Sequence, residues 1–244
     1  RSNDGSYDII VPGSGGKDSA FTAHILKYKY GMNPLTVTWA PHLYTDIGWK
    51  NMQEWMHTGG LDNILYTPNG ILHQEMTKNA FHNLLHPFQP FIVGQRIIGP
   101  AMAKKFGVKL VMYGENQAEY GNSIEENTNP IMNMDFFSSD DALNMKFGGI
   151  SMQEYIDTGK YTKDDFAPYI APDKQGLVDD GIEVHYLGYY LKWDPQECYY
   201  YSVDNTGFQA NPVRTEGTYS KYSSIDDKID PFHYLTTLIK FGIG

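Results

Sequence analysis

The sequence predicts a doubly wound α/β domain, a mainly parallel sheet with helices on both faces and a polar insertion. Three observations point there. Short apolar runs alternate with stretches of helical periodicity through the first half, the order that parallel strands with crossover helices require. Gly31, Gly59 and Gly107 fall where those helices should end. The first apolar run, Ile9-Ile10-Val11, passes through a turn of small residues straight into a helical stretch.

In chain order, the first strand is expected over 7–11, followed by a helix over 18–30. The β-branched run Leu35-Thr36-Val37-Thr38-Trp39 predicts the second strand. A helix around 49–57 closes at Gly59-Gly60, and a strand follows over 63–66. Helical stretches cover 72–85 and 91–106, the second kinked or divided by Pro100, before a strand over 109–113. Between 121 and 181 the composition turns polar and irregular, with Asn127-Thr128-Asn129-Pro130 and Ser138-Ser139-Asp140-Asp141. That segment reads as a compact insertion or lid. A strand over 182–186, a helix over 195–201 and a last helix over 231–241 follow. The chain thus divides into a core (1–120), the insertion (121–181), and C-terminal elements (182–244) that complete the core and the substrate site. No internal repeat or low-complexity tract is present.

With 244 residues and 41% hydrophobic content, the chain can bury a substantial core. Its net charge of −10 argues against the phosphate-neutralising surface that nucleic-acid binding needs. No apolar run approaches the roughly 20 residues of a membrane helix, and Arg1-Ser2-Asn3-Asp4-Gly5 carries no signal-peptide core. A soluble, cytoplasmic protein is expected. Cys198 is the only cysteine, so neither an internal disulfide nor a cysteine-cluster zinc site can form. Its setting, Glu197-Cys198-Tyr199-Tyr200-Tyr201, favours a packing thiol over a nucleophile.

The turn after the first strand is an anion cradle. Ser14, Gly15 and Gly16 leave room for several backbone N–H groups to meet one ligand, and the helix that follows adds its positive end. Two commoner phosphate motifs fail here. A Walker loop counted back from Gly16-Lys17 meets Val11 instead of its first glycine and Asp18 instead of Ser/Thr. A dinucleotide loop started at Gly13 meets Asp18 where its last glycine belongs. What remains, Ser14-Gly15-Gly16-Lys17-Asp18-Ser19, resembles the signature loop of the ATP pyrophosphatase (PP-loop) family. The resemblance implies ATP and magnesium as cofactors, cleavage between the α and β phosphates, and transfer of AMP to a substrate oxygen. Lys17 is then the cation for charge developing on the phosphates. Asp18 is either a magnesium ligand or a cap of the helix it opens.

Ligands of an open parallel sheet lie beyond the carboxyl ends of its strands. Thr38, Trp39, His42 and Tyr44 follow the second strand, and Gly114-Glu115-Asn116 follow the fourth. The family resemblance assigns adenine to the backbone of Thr38 and Trp39. Glu115 and Asn116 suit a ribose, a magnesium ion or an attacking ammonia; capping a turn also fits Asn116.

Beyond the loop, the chain resembles one subfamily, the bacterial N-acetyl sugar amidotransferases of surface-glycan (O-antigen and nonulosonic acid) biosynthesis. Four blocks carry the resemblance: Thr38-Trp39-Ala40-Pro41-His42-Leu43-Tyr44-Thr45-Asp46, His86-Pro87-Phe88-Gln89-Pro90-Phe91, Tyr113-Gly114-Glu115-Asn116-Gln117-Ala118-Glu119-Tyr120-Gly121-Asn122, and Gly217-Thr218-Tyr219-Ser220-Lys221-Tyr222-Ser223-Ser224-Ile225-Asp226-Asp227-Lys228. The implied reaction adenylates an acetamido oxygen, and ammonia then displaces AMP to leave an acetamidine. The implied partners are an acetamido sugar, free or nucleotide-linked, a separate glutaminase, and a synthase-like subunit that passes ammonia on; self-association stays open. Family members begin with a cysteine-containing segment and continue past 241–244, which implies that this chain is a portion of a longer one.

Within the family blocks and on the 91–106 helix, His42, Tyr44, Gln95, Arg96 and Tyr222 have the polarity and ring surface to bind a sugar. An ordinary hydrogen-bonded loop histidine is an equal reading of His42. Lys221 either reaches the phosphates as a catalytic cation or is a solvated charge. Two rival functions share the loop: another adenylating enzyme, of tRNA thiolation or amide synthesis, and an ATP-binding regulatory module without turnover.

Overall fold

The computed structural model describes residues 2–115 and 129–242. Its strands are β1 (Ile9–Pro12), β2 (Pro34–Trp39), β3 (Asp62–Tyr66), β4 (Leu110–Tyr113), β5 (Lys146–Phe147), β6 (Ile150–Ser151) and β7 (Glu183–Tyr186). Its α-helices are α1 (Lys17–Tyr28), α2 (Asp46–His57), α3 (Gly70–Leu84), α4 (Gln89–Phe106), α5 (Met152–Asp157), α6 (Lys174–Asp179), α7 (Pro195–Thr206) and α8 (Asp230–Phe241). Five strands form one parallel sheet in the order β3-β2-β1-β4-β7, while β5 and β6 pair as a small antiparallel hairpin. From β1 the chain winds outward one way to β2 and β3, then returns past β1 to β4 and β7. The order therefore reverses between β1 and β4, which is where ligands bind in such sheets.

Alternation along the buried strands explains the two layers of helices. Ile9 and Val11 face one side and pack with Ala20, Leu26, Met52 and Trp55 from α1 and α2. Ile10 faces the other and packs with Leu72, Met76 and Ile98 from α3 and α4. All four residues of β1 and all six of β2 are buried, as a parallel sheet covered on both faces requires. Residues 129–181 add no strand to this sheet. They lay Phe137, Phe147, Phe166 and Tyr169 onto the α3–α4 side of the same core.

Helix boundaries follow capping chemistry. α2 starts at Asp46, ahead of the expected 49, because the Thr45 hydroxyl accepts the Gly48 N–H. α7 runs to Thr206, beyond the expected 201, and stops at Gly207 with a positive φ of 71°. Pro100 lies inside α4 and does not divide it.

The C-terminal strap, residues 222–230, returns across the loop after β2. Thr45 N–H donates to the Asp226 carbonyl at 3.0 Å and Lys228 N–H to the Leu43 carbonyl at 2.9 Å. The Thr45 hydroxyl donates to the Ile225 carbonyl. The Asp227 carboxylate accepts from the N–H groups of His42 (2.6 Å), Leu43 (3.2 Å) and Ile229 (3.1 Å), and pairs with His42 Nδ1 at 2.9 Å. One buried carboxylate thus ties two segments that are far apart in sequence. Asp227→Ala should cost about 2–4 kcal/mol in urea unfolding, because it strands several buried donors, whereas exposed Asp204→Ala should stay within about 0.5 kcal/mol.

Candidate functional site

β1 ends at Pro12, and Gly13 N–H still donates to the Val37 carbonyl at 3.0 Å, so the next turn leaves the sheet at its switch point. That turn is tight. A Cβ on Gly13 would lie 2.2 Å from Ser19 Cβ. Gly15 adopts φ +84°, and a Cβ there would stand 2.9 Å from Met52 Cα. Gly16 is the N-cap of α1 and supplies no side-chain acceptor. By contrast, α2, α3 and α7 are each capped by a side chain, from Thr45, Asn69 and Asp194. The first N–H groups of α1 are therefore left for a ligand.

They open into a polar cleft of about 350 Å³, lined by Ser14, Gly16, Lys17, Asp18, Ser19, Gln95, Gly114, Glu115, Tyr222 and Asp226 among others. A second lobe of about 190 Å³ shares Gly13, Ser14, Gln95 and Asp226 with it. This lobe is walled by Val37, Trp39, Phe88, Phe91 and Ile98 and carries Asp227 and Asp230. Lys17 Nζ stands 2.6 and 2.5 Å from the two oxygens of Asp18, and 5.7 Å from the centre of the Tyr222 ring. Behind it, Ser202 Oγ donates to the Lys17 carbonyl at 2.8 Å and holds the first turn of α1 against α7. Gly114 brings the end of β4 close, since a Cβ there would sit 2.9 Å from Thr22 Oγ1 and 3.1 Å from the Asp18 carbonyl.

The fold thus collects Ser14, Gly16, Lys17, Asp18, Ser19, Gly114, Glu115, Gln95 and Tyr222 around one cleft, with Gly15 shaping its turn. Trp39 lines the second lobe and stacks on Tyr66 at 5.3 Å. Thr38 lines neither: its hydroxyl accepts from Asn63 Nδ2 at 3.1 Å and faces Met52. His42 and Tyr44 lie behind the strap, His42 committed to Asp227 and in ring contact with His73 at 4.7 Å. Burial first, then Asp226 and Asp227, pushes the Tyr44 hydroxyl pKa up. Arg96 covers the ring of Phe136 at 5.2 Å, and Lys221 is exposed; neither lines the cleft. Asn116 lies outside the described residues. Cys198 is buried, and burial pushes its thiol up to about 12, as a packing thiol requires.

Two carboxyls were not anticipated. Ser14 Oγ donates to Asp226 Oδ2 at 2.5 Å, joining the turn to the strap across 212 residues. The other oxygen of Asp226 is sealed from solvent without a hydrogen-bond partner. Burial raises the Asp226 carboxyl to about 6, with the Ser14 bond opposing and Asp227 adding. Asp230 is raised to about 7, by burial first and then by Asp227 and Asp226. The only signal in the sequence was an acidic pair in a Ser- and Tyr-rich stretch.

A magnesium ion fits this cleft in one manner. Among the described residues no group of three acidic, histidine or cysteine side chains could hold a metal. Magnesium commonly takes one or two carboxylates plus substrate phosphates, and Asp18 and Glu115 line the cleft beside the turn. Among the described residues, no helix is long and apolar enough to cross a membrane.

Comparison with models of protein families finds no match, and comparison with curated proteins finds none. Solved structures give distant likenesses. A predicted tRNA methyltransferase subunit of Methanocaldococcus jannaschii is 15% identical, with 80% of this chain and 75% of that one covered, at a TM-score of 0.42. The NH3-dependent NAD synthetase of Campylobacter jejuni is 18% identical, covering 52% and 56%, at 0.39. The NMN synthetase of Francisella tularensis is 16% identical, covering 86% and 81%, at 0.40. At these values no activity or residue role passes to this chain, and the site stands on its own geometry.

The raised carboxyls set a pH dependence. Their folded values of about 6 and about 7 exceed the ordinary 3.8. Folding therefore takes up protons in that window, and the stability present below 3.8 is lost as the pH rises through about 7. Urea unfolding should show wild type losing stability relative to Asp230→Asn as the pH is raised from about 4 to about 8. A difference that stays level across that range would contradict the placement of Asp230.

Proposed function

We propose that this protein is an ATP-dependent amidotransferase of the ATP pyrophosphatase type, which converts the acetamido group of a sugar to an acetamidino group. The observation that carries the reading is the turn after β1: a side-chain-free helix start, a glycine in positive φ and Lys17 beside Asp18, at the point where the strand order reverses. The resemblance of the four sequence blocks supplies the substrate class. A separate glutaminase and an ammonia-delivering subunit belong to the same proposal, as does a cytoplasmic setting.

The chemistry needs adenylation because an amide carbonyl is a poor electrophile and its oxygen a poor leaving group. The acetamido oxygen attacks the α-phosphorus of ATP. The bond from that phosphorus to the bridging oxygen breaks, and pyrophosphate leaves with the electron pair. The nitrogen of ammonia then bonds to the imidate carbon, and the C–O bond breaks so that AMP departs with the former acetamido oxygen. The N–H groups at the start of α1 and Lys17 would hold the charge that develops on the pyrophosphate. Before that, Lys17 must part from Asp18, to which it is bonded in the free protein. Magnesium, held by Asp18 and Glu115 with the phosphates, would neutralise a cleft that already carries the carboxyls of Asp18, Glu115 and Asp226.

The test is incubation of the protein with ATP, magnesium, ammonium chloride and a panel of acetamido sugars. One sugar should release AMP and pyrophosphate in equal amounts, and mass spectrometry should show its oxygen replaced by NH. Lys17→Ala should slow that release by about 100-fold or more. Pyrophosphate release stimulated by tRNA instead would favour a thiolation enzyme, and bound ATP without pyrophosphate under any supply would favour a regulatory module.

A further inference from the structure

Tyr222 opens the strap and lines the phosphate cleft. Its ring is held in place by α7. Tyr199 stacks on it at 4.4 Å with 20° between the planes, and the Tyr222 hydroxyl donates to Gln196 Oε1 at 2.8 Å. Gln196, Tyr199 and Ser202 follow one another at three-residue steps along α7, so the helix side that carries the ring is the one that Ser202 fastens to the Lys17 carbonyl. Beside the ring, the hydroxyls of Ser220 and Ser223 share a bond of 2.7 Å. With Tyr199 on one face, the ammonium of Lys17, 5.7 Å from the ring centre, is left the other. That second face is a negative π surface, which attracts a cation or the C–H bonds of an apolar ring face.

We propose that this face of Tyr222 is the platform on which the acceptor sugar lies, and that Lys17 covers it until ATP draws the ammonium away, so that the nucleotide binds before the acceptor; this rests on the amidotransferase reading. A pyranose has an apolar face of C–H bonds, which stacks on an aromatic ring, and a rim of hydroxyls, which needs hydrogen-bond partners. Gln95 and Ser223 line the same cleft and can supply them. Ser14 and Gly16 line it too, so a sugar on the ring lies beside the phosphates it must attack. Lys17 sets the order. In the free protein its ammonium is shared between the Asp18 carboxylate and the Tyr222 ring. A triphosphate offers it charge-assisted bonds that outweigh contact with a ring. Once Lys17 turns to the phosphates, the ring is bare. A sugar that arrives first meets the ammonium instead.

The experiment labels the protein with 3-fluorotyrosine and identifies the Tyr222 ¹⁹F signal by its loss in Tyr222→Phe. The acetamido sugars of the panel are then titrated one at a time, with and without magnesium and α,β-methylene-ATP, whose α–β link cannot be cleaved. One sugar should shift the Tyr222 signal saturably with the nucleotide present and bind at least about tenfold more weakly without it. In Lys17→Ala the same sugar should shift the signal with no nucleotide added. In turnover, Tyr222→Ala should raise the acceptor KM at least about tenfold while the ATP KM moves less than about threefold, and Tyr222→Phe, which keeps the ring, should recover most of the loss. The wild-type titration decides the order even if a variant fails to fold. A sugar that drives pyrophosphate release yet leaves the Tyr222 signal unmoved, or that binds equally well without nucleotide, would overturn the proposal and leave the amidotransferase reading standing. A sugar that meets Tyr222 only in the nucleotide complex, with no pyrophosphate released under ATP and ammonia, would uphold the platform and sink that reading. An unmoved signal and no pyrophosphate with every sugar would sink both.

Discussion

The unfilled hydrogen-bonding capacity at the start of α1 governs the rest of this molecule. A helix leaves its first N–H groups without internal partners, and here the residue at the cap position is Gly16, which brings no side chain to satisfy them. Such a start is stable only where water or an anion can reach it. The surrounding residues keep that access open. Gly13 and Gly15 let the turn press against α1 and α2, Gly114 draws β4 alongside, and Ser202 fastens the first turn from behind. The sheet order then places this start where the strands diverge.

Charge is the second constraint, and it opposes the first. Among the described residues the cleft presents one lysine, already paired with Asp18, together with Glu115 and Asp226. A triphosphate entering it meets carboxyls as well as N–H groups, so its binding depends on cations that neutralise both. The strap intensifies this effect. It carries Asp226 to within 2.5 Å of Ser14 Oγ and stacks Asp227 and Asp230 beside it. Burial raises two of these carboxyls toward neutrality, which lowers the repulsion while leaving proton acceptors next to the phosphate cradle. Asp227 differs in its partners, since it accepts the N–H groups of His42, Leu43 and Ile229.

Much of this was legible in the residues. β1, β2 and β4 were visible because parallel strands buried on both faces are continuous apolar or β-branched runs, and the turn between 13 and 19 was visible because its chemistry is local. Helix limits slipped where a cap lay outside the apolar pattern, as with Thr45 before α2 and Gly207 after α7. Pro100 does not divide α4, which continues through it, packed against the sheet. Asp226 and Asp230 were not legible, because nothing in their local sequence shows that residue 226 returns to residue 14. His42 illustrates the same limit. Its position after β2 suggested a ligand contact, whereas the strap covers it and Asp227 holds its ring.

The most direct measurement is a crystal structure with ATP and magnesium. The β and γ phosphates should lie within hydrogen-bond reach of the N–H groups of Gly15, Gly16 and Lys17, with Lys17 turned from Asp18 toward them. A triphosphate seated elsewhere, with the turn after β1 still open to solvent and Lys17 still on Asp18, would contradict the assignment of this turn as the phosphate site.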